Sequence, residues 1–320
     1  MKGVPFFIHT FRHDEWTIYH HPLYEARYTK VHLCDHKKVK ARGALKLYQK
    51  KDLTPQRVSY IEEELRVYDI LQDIKYIVPV WFHFETEQHF GIMTKYMNQD
   101  TLADYIYKFN NDYCIVMDVI YPLLVLLKQL HERCVVHRDL KPENIFIHNH
   151  KIYLGDFGYS CVLEEKAHEV IGTHQYMAPE LLTKYLDRET SLSYGFEIDI
   201  WSLGIIAYEL LFHRKPFGWS YYRNIGKSDP TEPDFIRRCL KAELEFPHYV
   251  SSEAKEFLIK TLQKKPDQRA SVSELLELPW ILTHLNNKKL NEPCPLSHPT
   301  PSRASSTLSK KKSKTPCAIS

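Results

Sequence analysis

The stretch His137-Arg138-Asp139-Leu140-Lys141-Pro142-Glu143-Asn144 brings an imidazole, two cationic side chains, carboxylates and an amide together within eight residues. On its N-terminal side lies an apolar run from Ile120 to Leu130, long enough for a buried helix. On its C-terminal side, Ile145-Phe146-Ile147 is β-branched and aromatic and predicts a strand. A loop held between a core helix and a core strand keeps its side chains fixed in space, which chemistry that depends on positioning requires.

Two further triplets follow in order. Asp156-Phe157-Gly158 comes twelve residues after Asn144, and Ala178-Pro179-Glu180 comes later in the chain. With these spacings the three stretches resemble the HRD-x-K-x-x-N, DFG and APE motifs of the eukaryotic protein kinases. The resemblance spans roughly Trp16 to Leu285. It implies an α+β, two-lobed protein kinase fold, with a small lobe of antiparallel β-sheet plus one helix and a mainly α-helical large lobe. The expected divisions are an N-terminal extension at 1–15, a kinase domain at 16–285 and a tail at 286–320. Within the domain, the small lobe takes 16–94, the hinge 95–99 and the large lobe 100–285. The competing reading of Asp139 and Asp156 is that they are ordinary loop acids capping turns.

Composition agrees with a folded chain of this size. The 320 residues are 43% hydrophobic and 26% charged, which suits a soluble protein with room for two cores. A net charge of +3 and a pI near 8.3 do not imply nucleic acid as a partner. Seven scattered cysteines suggest a reducing compartment rather than a disulfide framework. Met1 to Phe7 shows no secretory pattern, and Lys2 departs from the myristoylation motif. The segment from Ile115 to Leu130 carries Asp118 and Pro122, is expected to be too short to cross a bilayer, and reads as the helix before the catalytic loop.

The first lobe departs from the family. Leu23-Tyr24-Glu25-Ala26-Arg27-Tyr28-Thr29-Lys30-Val31 aligns on the family's L-G-x-G-x-F-G-x-V, with Tyr24, Ala26 and Thr29 at the glycine positions. Where φ > 0 is needed, an L-residue costs roughly 1–2 kcal/mol, so weak nucleotide binding or a loop that contributes little is the expectation. Ala44-Leu45-Lys46 resembles the A-x-K strand whose lysine holds the α- and β-phosphates of ATP, although neighbouring lysines allow a solvated strand face instead. Tyr60 to Asp73 has helical periodicity, and Glu64 shares a face with Val67, Tyr68 and Leu71. Glu64 is therefore the expected partner of Lys46, with Glu63 as the alternative. Tyr68, Val80, His137 and Phe157 match the family's apolar stack, and a buried Tyr68 hydroxyl would need a partner.

By the same resemblance, Thr94 occupies the gatekeeper position, and the backbone of Lys95 and Met97 would meet the adenine edge. Leu23, Val31, Ala44 and Phe146 would line the adenine site. Phosphoryl transfer asks the protein for geometry and charge more than covalent chemistry. The resemblance assigns Asp139 the substrate hydroxyl proton, Lys141 the γ-phosphate, and Asn144 and Asp156 the Mg²⁺ ligation. Lys141, Thr173 and the segment around Gly172 resemble the serine/threonine branch, and Tyr159 goes with serine as acceptor. The implied enzyme uses ATP and Mg²⁺ on protein substrates. The rival reading is a kinase-shaped interaction module that lost catalysis along with its glycines.

Arg138 implies an activation segment ordered by negative charge. Between Cys161 and Ile171 no Ser, Thr or Tyr occurs, and Glu169 stands where many relatives carry a phosphorylated Thr. Glu169 is expected to pair with Arg138 in place of phosphate, with less charge and fewer oxygens; a solvated acidic loop is the other reading. Asp199 looks like the brace of the catalytic loop, and Arg269 like the partner of Glu180. Leu244 to Pro247, Ser252 to Lys255 and Leu278 to Trp280 resemble the calcium/calmodulin-dependent kinase group. Glu209 falls where such enzymes hold a substrate arginine, which suggests a basic substrate motif.

From about Asn286 the composition shifts to Pro, Ser, Thr, Lys and Asn, too polar to bury a core. The chain ends Cys317-Ala318-Ile319-Ser320, a C-a-a-X box of the farnesylated form, with Lys310, Lys311, Lys312 and Lys314 upstream. One lipid chain binds only marginally, and four lysines at about 1 kcal/mol each supply roughly a thousandfold more. The expected partners are a protein prenyltransferase and the cytoplasmic face of a membrane. The competing reading is a chance cysteine on an ordinary basic tail.

Overall fold

The computed structural model describes residues 13–97, 100–164, 167–188, 191, 193–218, 232–287 and 295–297. Its chain forms two units, residues 1–99 with 153–158, and residues 100–152 with 159–320.

In the first unit, the strands are β1 (Trp16–Ile18), β2 (Tyr24–Glu25), β3 (Thr29–His36), β4 (Arg42–Gln49), β5 (Val80–Glu85) and β6 (His89–Lys95). They make one antiparallel sheet in the order β1-β3-β4-β6-β5, with β2 paired to β3. One face is closed by Trp16, Cys34, Leu45, Phe82 and Met93. Helix α1 (Pro55–Leu71) starts where the Thr54 side chain accepts from Arg57 N–H, with Pro55 at the first helical position. It buries Ile61, Glu64, Val67, Tyr68 and Leu71.

The β2–β3 ribbon is the glycine-free stretch. Tyr24 pairs with Val31 and Glu25 with Lys30, and Ala26 N–H donates to Thr29 O at 2.9 Å. No residue from 23 to 31 has positive φ, so this backbone path does not incur the cost expected from the missing glycines. Tyr28, at the tip, lies under two guanidinium groups, Arg27 at 5.0 Å and Arg57 of α1 at 5.3 Å from the ring centre.

Residues 153–158, which the sequence boundaries put with the large lobe, belong to the first unit and pack on α1 and the segment before β5. Val78 N–H donates to Leu154 O at 2.8 Å, Leu154 N–H donates to Tyr76 O at 2.9 Å, and the Phe157 ring lies 5.3 Å from that of Tyr68. These contacts carry Asp156 into the unit that holds Lys46.

The second unit is mainly helical, with α2 (Asp112–Ile115), a π-helical stretch Val116–Ile120, α3 (Tyr121–Glu132), α4 (Pro179–Leu186), α5 (Glu197–Phe212), α6 (Glu232–Lys241), α7 (Ser252–Thr261), α8 (Val272–Leu276) and α9 (Pro279–Asn286). Short strands β7 (Val135–Val136) and β9 (Cys161–Val162) pair antiparallel, and β8 (Ile145–His148) follows residues 137–144. Helix α5 is buried almost all round and is the unit's core rod. A Cβ at Gly204 would lie 2.6 Å from Thr261 Oγ1, so α5 and α7 approach too closely for any side chain there.

The helical run Asp112–Glu132 is long and apolar enough, by length and composition, to cross a membrane, contrary to the expectation of a short segment. It carries on through Asp118 and Pro122 because the intervening turn is π-helical and Pro122 sits in the first turn of α3. Leu123, Leu124, Leu126, Leu127 and Leu130 are all buried in the protein core, which accounts for the apolar composition.

Candidate active site

In the sheet unit, Lys46 on β4 is held by two carboxylates. Its Nζ lies 2.8 Å from Glu64 Oε1 and 3.0 Å from Asp156 Oδ1. Burial opposes the ammonium charge, but Asp156 and Glu64 outweigh it and raise the Lys46 pKa well above the ordinary lysine value. Glu64 is 1% exposed and is the helix carboxylate that reaches Lys46. Its Oε2 also accepts from Tyr48 Oη at 2.8 Å, a partner the sequence reading missed. Tyr48 stands two residues after Lys46, on the same face of β4, so strand alternation was the available signal. Burial and the nearby Glu64 charge push the Tyr68 hydroxyl above the usual tyrosine range, and its ring meets that of Phe157 edge-on.

Asp156 has φ +56°, a left-handed conformation rare for a non-glycine residue, and its carboxylate is half exposed. A Cβ on Gly158 would lie 2.9 Å from Lys46 Nζ, so that glycine keeps the lysine's space clear. Val31 pairs with Lys46 across the sheet, and Ala44 faces Thr94, whose Oγ1 donates to Ala44 O at 3.3 Å. Leu23 N–H donates to Val31 O at 2.7 Å. Lys95 N–H donates to Pro79 O at 2.8 Å, and Met97 is buried.

In the helical unit, the catalytic stretch is gripped from below by Asp199 of α5. Its Oδ2 accepts from His137 N–H at 2.9 Å and its Oδ1 from Arg138 N–H at 3.0 Å, while His131 Nε2 lies 3.2 Å from Oδ2. Burial would raise the Asp199 pKa, but the bond and charge of His131 and the proximity of His137 hold it below the usual range. Two backbone bonds to one fixed carboxylate set the path of residues 137 and 138.

On that loop, Asp139 is the hub. Thr173 Oγ1 donates to Asp139 Oδ1 at 2.7 Å, and Lys141 Nζ lies 2.6 Å from Oδ2 and 2.9 Å from Thr173 Oγ1. Asn144 Nδ2 donates to Asp139 O at 2.9 Å, which directs its amide nitrogen inward and leaves Oδ1 as the lone-pair donor. Phe146 on β8 bridges to Thr101. Gly172, with φ +119°, precedes Thr173, and a Cβ there would lie 2.5 Å from Arg138 O. Only glycine lets the chain pass close enough to deliver Thr173 to Asp139.

Arg138 and Glu169 pair at 2.6 Å, Nη1 to Oε2, with the arginine side chain 2% exposed and the glutamate 47%. Arg138 Nε also donates to Tyr159 O at 2.5 Å. Tyr194 completes the group, its hydroxyl donating to Glu169 O at 2.8 Å; no local sequence signal links Tyr194 to this segment. Arg269 donates to Glu180 through both terminal nitrogens, at 2.7 and 2.6 Å.

Glu209 is not an open acceptor for a substrate arginine. It is buried, accepts from Tyr176 Oη at 2.8 Å, and pairs with Lys215 Nζ at 3.0 Å, so the chain's own lysine takes the place of the expected cation.

Among the described residues no three His, Cys, Asp or Glu side chains cluster to hold a metal by themselves. Asp156 in the sheet unit and Asn144 in the helical unit each present a hard oxygen of the kind Mg²⁺ takes, alongside phosphates and water.

A protein kinase domain model matches residues 23–281 of the chain. An Aurora kinase of Debaryomyces hansenii is 30% identical over 276 residues, covering 80% of this chain and 59% of that protein. Two Dictyostelium discoideum proteins are also similar. The probable serine/threonine-protein kinase fhkC is 30% identical over 86% of this chain and 46% of its own length. The probable serine/threonine-protein kinase PLK is 31% identical over 73% of this chain and 23% of its own. The chain thus spans between about a quarter and three fifths of these relatives. With the catalytic stretch, the lysine–glutamate pair and the arginine–glutamate brace all in place, the chain belongs to the protein kinase family.

Proposed function

We propose that this protein is a serine/threonine protein kinase that transfers the γ-phosphoryl group of ATP, with Mg²⁺, to hydroxyl groups of protein substrates. The observation that carries this reading is the closed network on Asp139, in which Lys141 and Thr173 fix the carboxylate on a loop braced by Asp199. A carboxylate so held accepts a substrate hydroxyl proton without reorganising, and Lys141 offsets charge on the transferring group. Lys46, oriented by Glu64 and Tyr48, binds phosphate oxygens. Asn144 and Asp156 would each offer Mg²⁺ a hard oxygen, and the ion would offset phosphate charge. Transfer of labelled phosphate to a mixed Ser/Thr peptide library tests the reading. Incorporation is expected on Ser and Thr. Its absence, together with no thermal protection by ATP and Mg²⁺, would leave the interaction-module reading standing.

The Arg138–Glu169 pair supports activity without phosphorylation of the activation segment. Glu169→Gln is expected to lower kcat about 2–5-fold, roughly 0.5–1 kcal/mol for a partner that is half exposed. Unchanged steady-state phosphotransfer would return Glu169 to a solvated loop. With Glu209 occupied by Lys215, a basic substrate motif has no support at that position.

The membrane reading rests on Cys317 and on Lys310, Lys311, Lys312 and Lys314, all outside the described residues. We place the protein on the cytoplasmic face of a membrane through a farnesyl group that a protein prenyltransferase adds to Cys317. Cys317→Ser is expected to move it from the membrane to the soluble fraction. An unaltered distribution would remove the anchor.

A further inference from the structure

Tyr176 links the Asp139 network to α5. Its N–H donates to Thr173 O at 2.9 Å, its carbonyl accepts from Ser202 Oγ at 2.8 Å, and it lines one cavity with Asp139 and Thr173. Its hydroxyl donates to Glu209 Oε2 at 2.8 Å, which puts that carboxylate one side chain away from the segment that fixes the base. Burial and the Glu209 charge, with Glu143 of the catalytic stretch adding to them, push the Tyr176 hydroxyl well above the usual tyrosine range. Two carboxylates therefore bear on the tyrosine beside Asp139.

Lys215 closes on this group from the chain just past α5. The helix ends at Phe212, and His213, with φ +54°, turns the backbone so that Lys215 returns to Glu209, six residues earlier. Its Nζ lies 3.0 Å from Glu209 Oε1 and 4.9 Å from the centre of the Tyr176 ring, and its side chain is 15% exposed. Tyr176 thus takes one oxygen of Glu209 and Lys215 the other. A tethered ammonium competes as if it were present at about millimolar concentration or above, so a dilute peptide cation does not displace it. Without that ammonium, a buried carboxylate stands unpaired, a state costly enough to draw a cation from outside.

Resting on the phosphotransfer reading, we infer that Lys215 is a specificity-determining residue: its ammonium fills the Glu209–Tyr176 pocket, so the enzyme takes substrates that are uncharged at that place, and a substrate guanidinium enters only when Lys215 is removed. Selection against a basic side chain is then a property of one lysine, separable from the groups around Asp139.

The test uses the full chain with two variants. Lys215→Met keeps the length of the side chain and removes its charge, and Lys215→Met/Glu209→Gln removes both charges. Ser peptides carrying one arginine at each position in turn, on either side of the acceptor, are compared with a parent that has none. Wild type is expected to gain less than threefold in kcat/KM from any arginine. Lys215→Met is expected to gain at least tenfold at one position, and the double variant to lose that gain. Equal arginine profiles in wild type and an active Lys215→Met, or a tenfold gain in wild type, overturn the inference. The wild-type profile can do so even where Lys215→Met is too unstable to purify. A second measurement needs no phosphotransfer. Propylammonium, which donates as the missing lysine did, is expected to raise the Tm of Lys215→Met, while tetramethylammonium at equal concentration does not, and neither moves the double variant. If wild type transfers no phosphate, the phosphotransfer reading falls by itself and this titration decides the pocket: protection by propylammonium alone supports the inference, and no protection overturns it.

Discussion

Asp139→Asn is expected to lower kcat for phosphotransfer by about 10²–10⁴-fold, the range in which a positioned general base contributes. The amide keeps the side chain's shape, so Thr173 can still donate to the remaining oxygen, but the group no longer accepts a proton. It also presents an NH₂ either to the Lys141 ammonium, 2.6 Å from Oδ2, or to Thr173. KM for ATP should change little, since the network on Asp139 is formed by Lys141, Thr173 and Asn144 and not by Lys46. Steady-state rates at saturating ATP check this. A loss smaller than tenfold would mean that proton acceptance by Asp139 is not what the loop provides.

The largest effect on stability is expected at Arg269. All five of its N–H groups are matched: Nε to Gln263 O, Nη1 to Glu180 Oε1 and Glu197 O, and Nη2 to Glu180 Oε2 and Lys264 O. The guanidinium lies 5.1 Å from the Trp201 ring, and the side chain is fully buried. Arg269→Ala strands the Glu180 carboxylate and leaves three carbonyls without their donor, a loss of about 3–5 kcal/mol. The arginine ties three places together at once: the start of α4, the start of α5 and the segment after α7. Arg269→Lys restores one charge but not the fork and should recover only part of the loss. Denaturant unfolding followed by Trp fluorescence measures both. A cost below 1 kcal/mol for the alanine variant would show that the three elements hold their places without this junction.

Those two side chains were legible in the sequence because each belongs to a short motif at fixed spacing. Glu64 was legible for a different reason: helical offsets put it on the face with Val67, Tyr68 and Leu71, and the helix buried that face. What escaped was set by tertiary contact. Tyr194 meets Glu169 across 25 residues, and the placement of Tyr153–Gly158 depends on backbone bonds to Tyr76 and Val78 that no periodicity announces. The tail was judged by average composition, which registers many polar residues and passes over one seated leucine, Leu296, which is 2% exposed. The missing glycines were weighed against a backbone path that needs positive φ, and this chain does not take that path. Glu209 was assigned by position alone, without knowledge that Lys215 returns to it.

The two arginines around Tyr28 bear on how the small unit responds to a ligand. Arg57 belongs to the same rod as Glu64, seven residues and about two turns earlier, roughly 10 Å along the axis. Whatever fastens or loosens the aromatic ring at the hairpin's end therefore tugs on the element that steadies Lys46. The hairpin tip and Lys46 are thus both tied to one helix, the first through Arg57 and the second through Glu64, so a substitution at Tyr28 is expected to reach Lys46 through that rod.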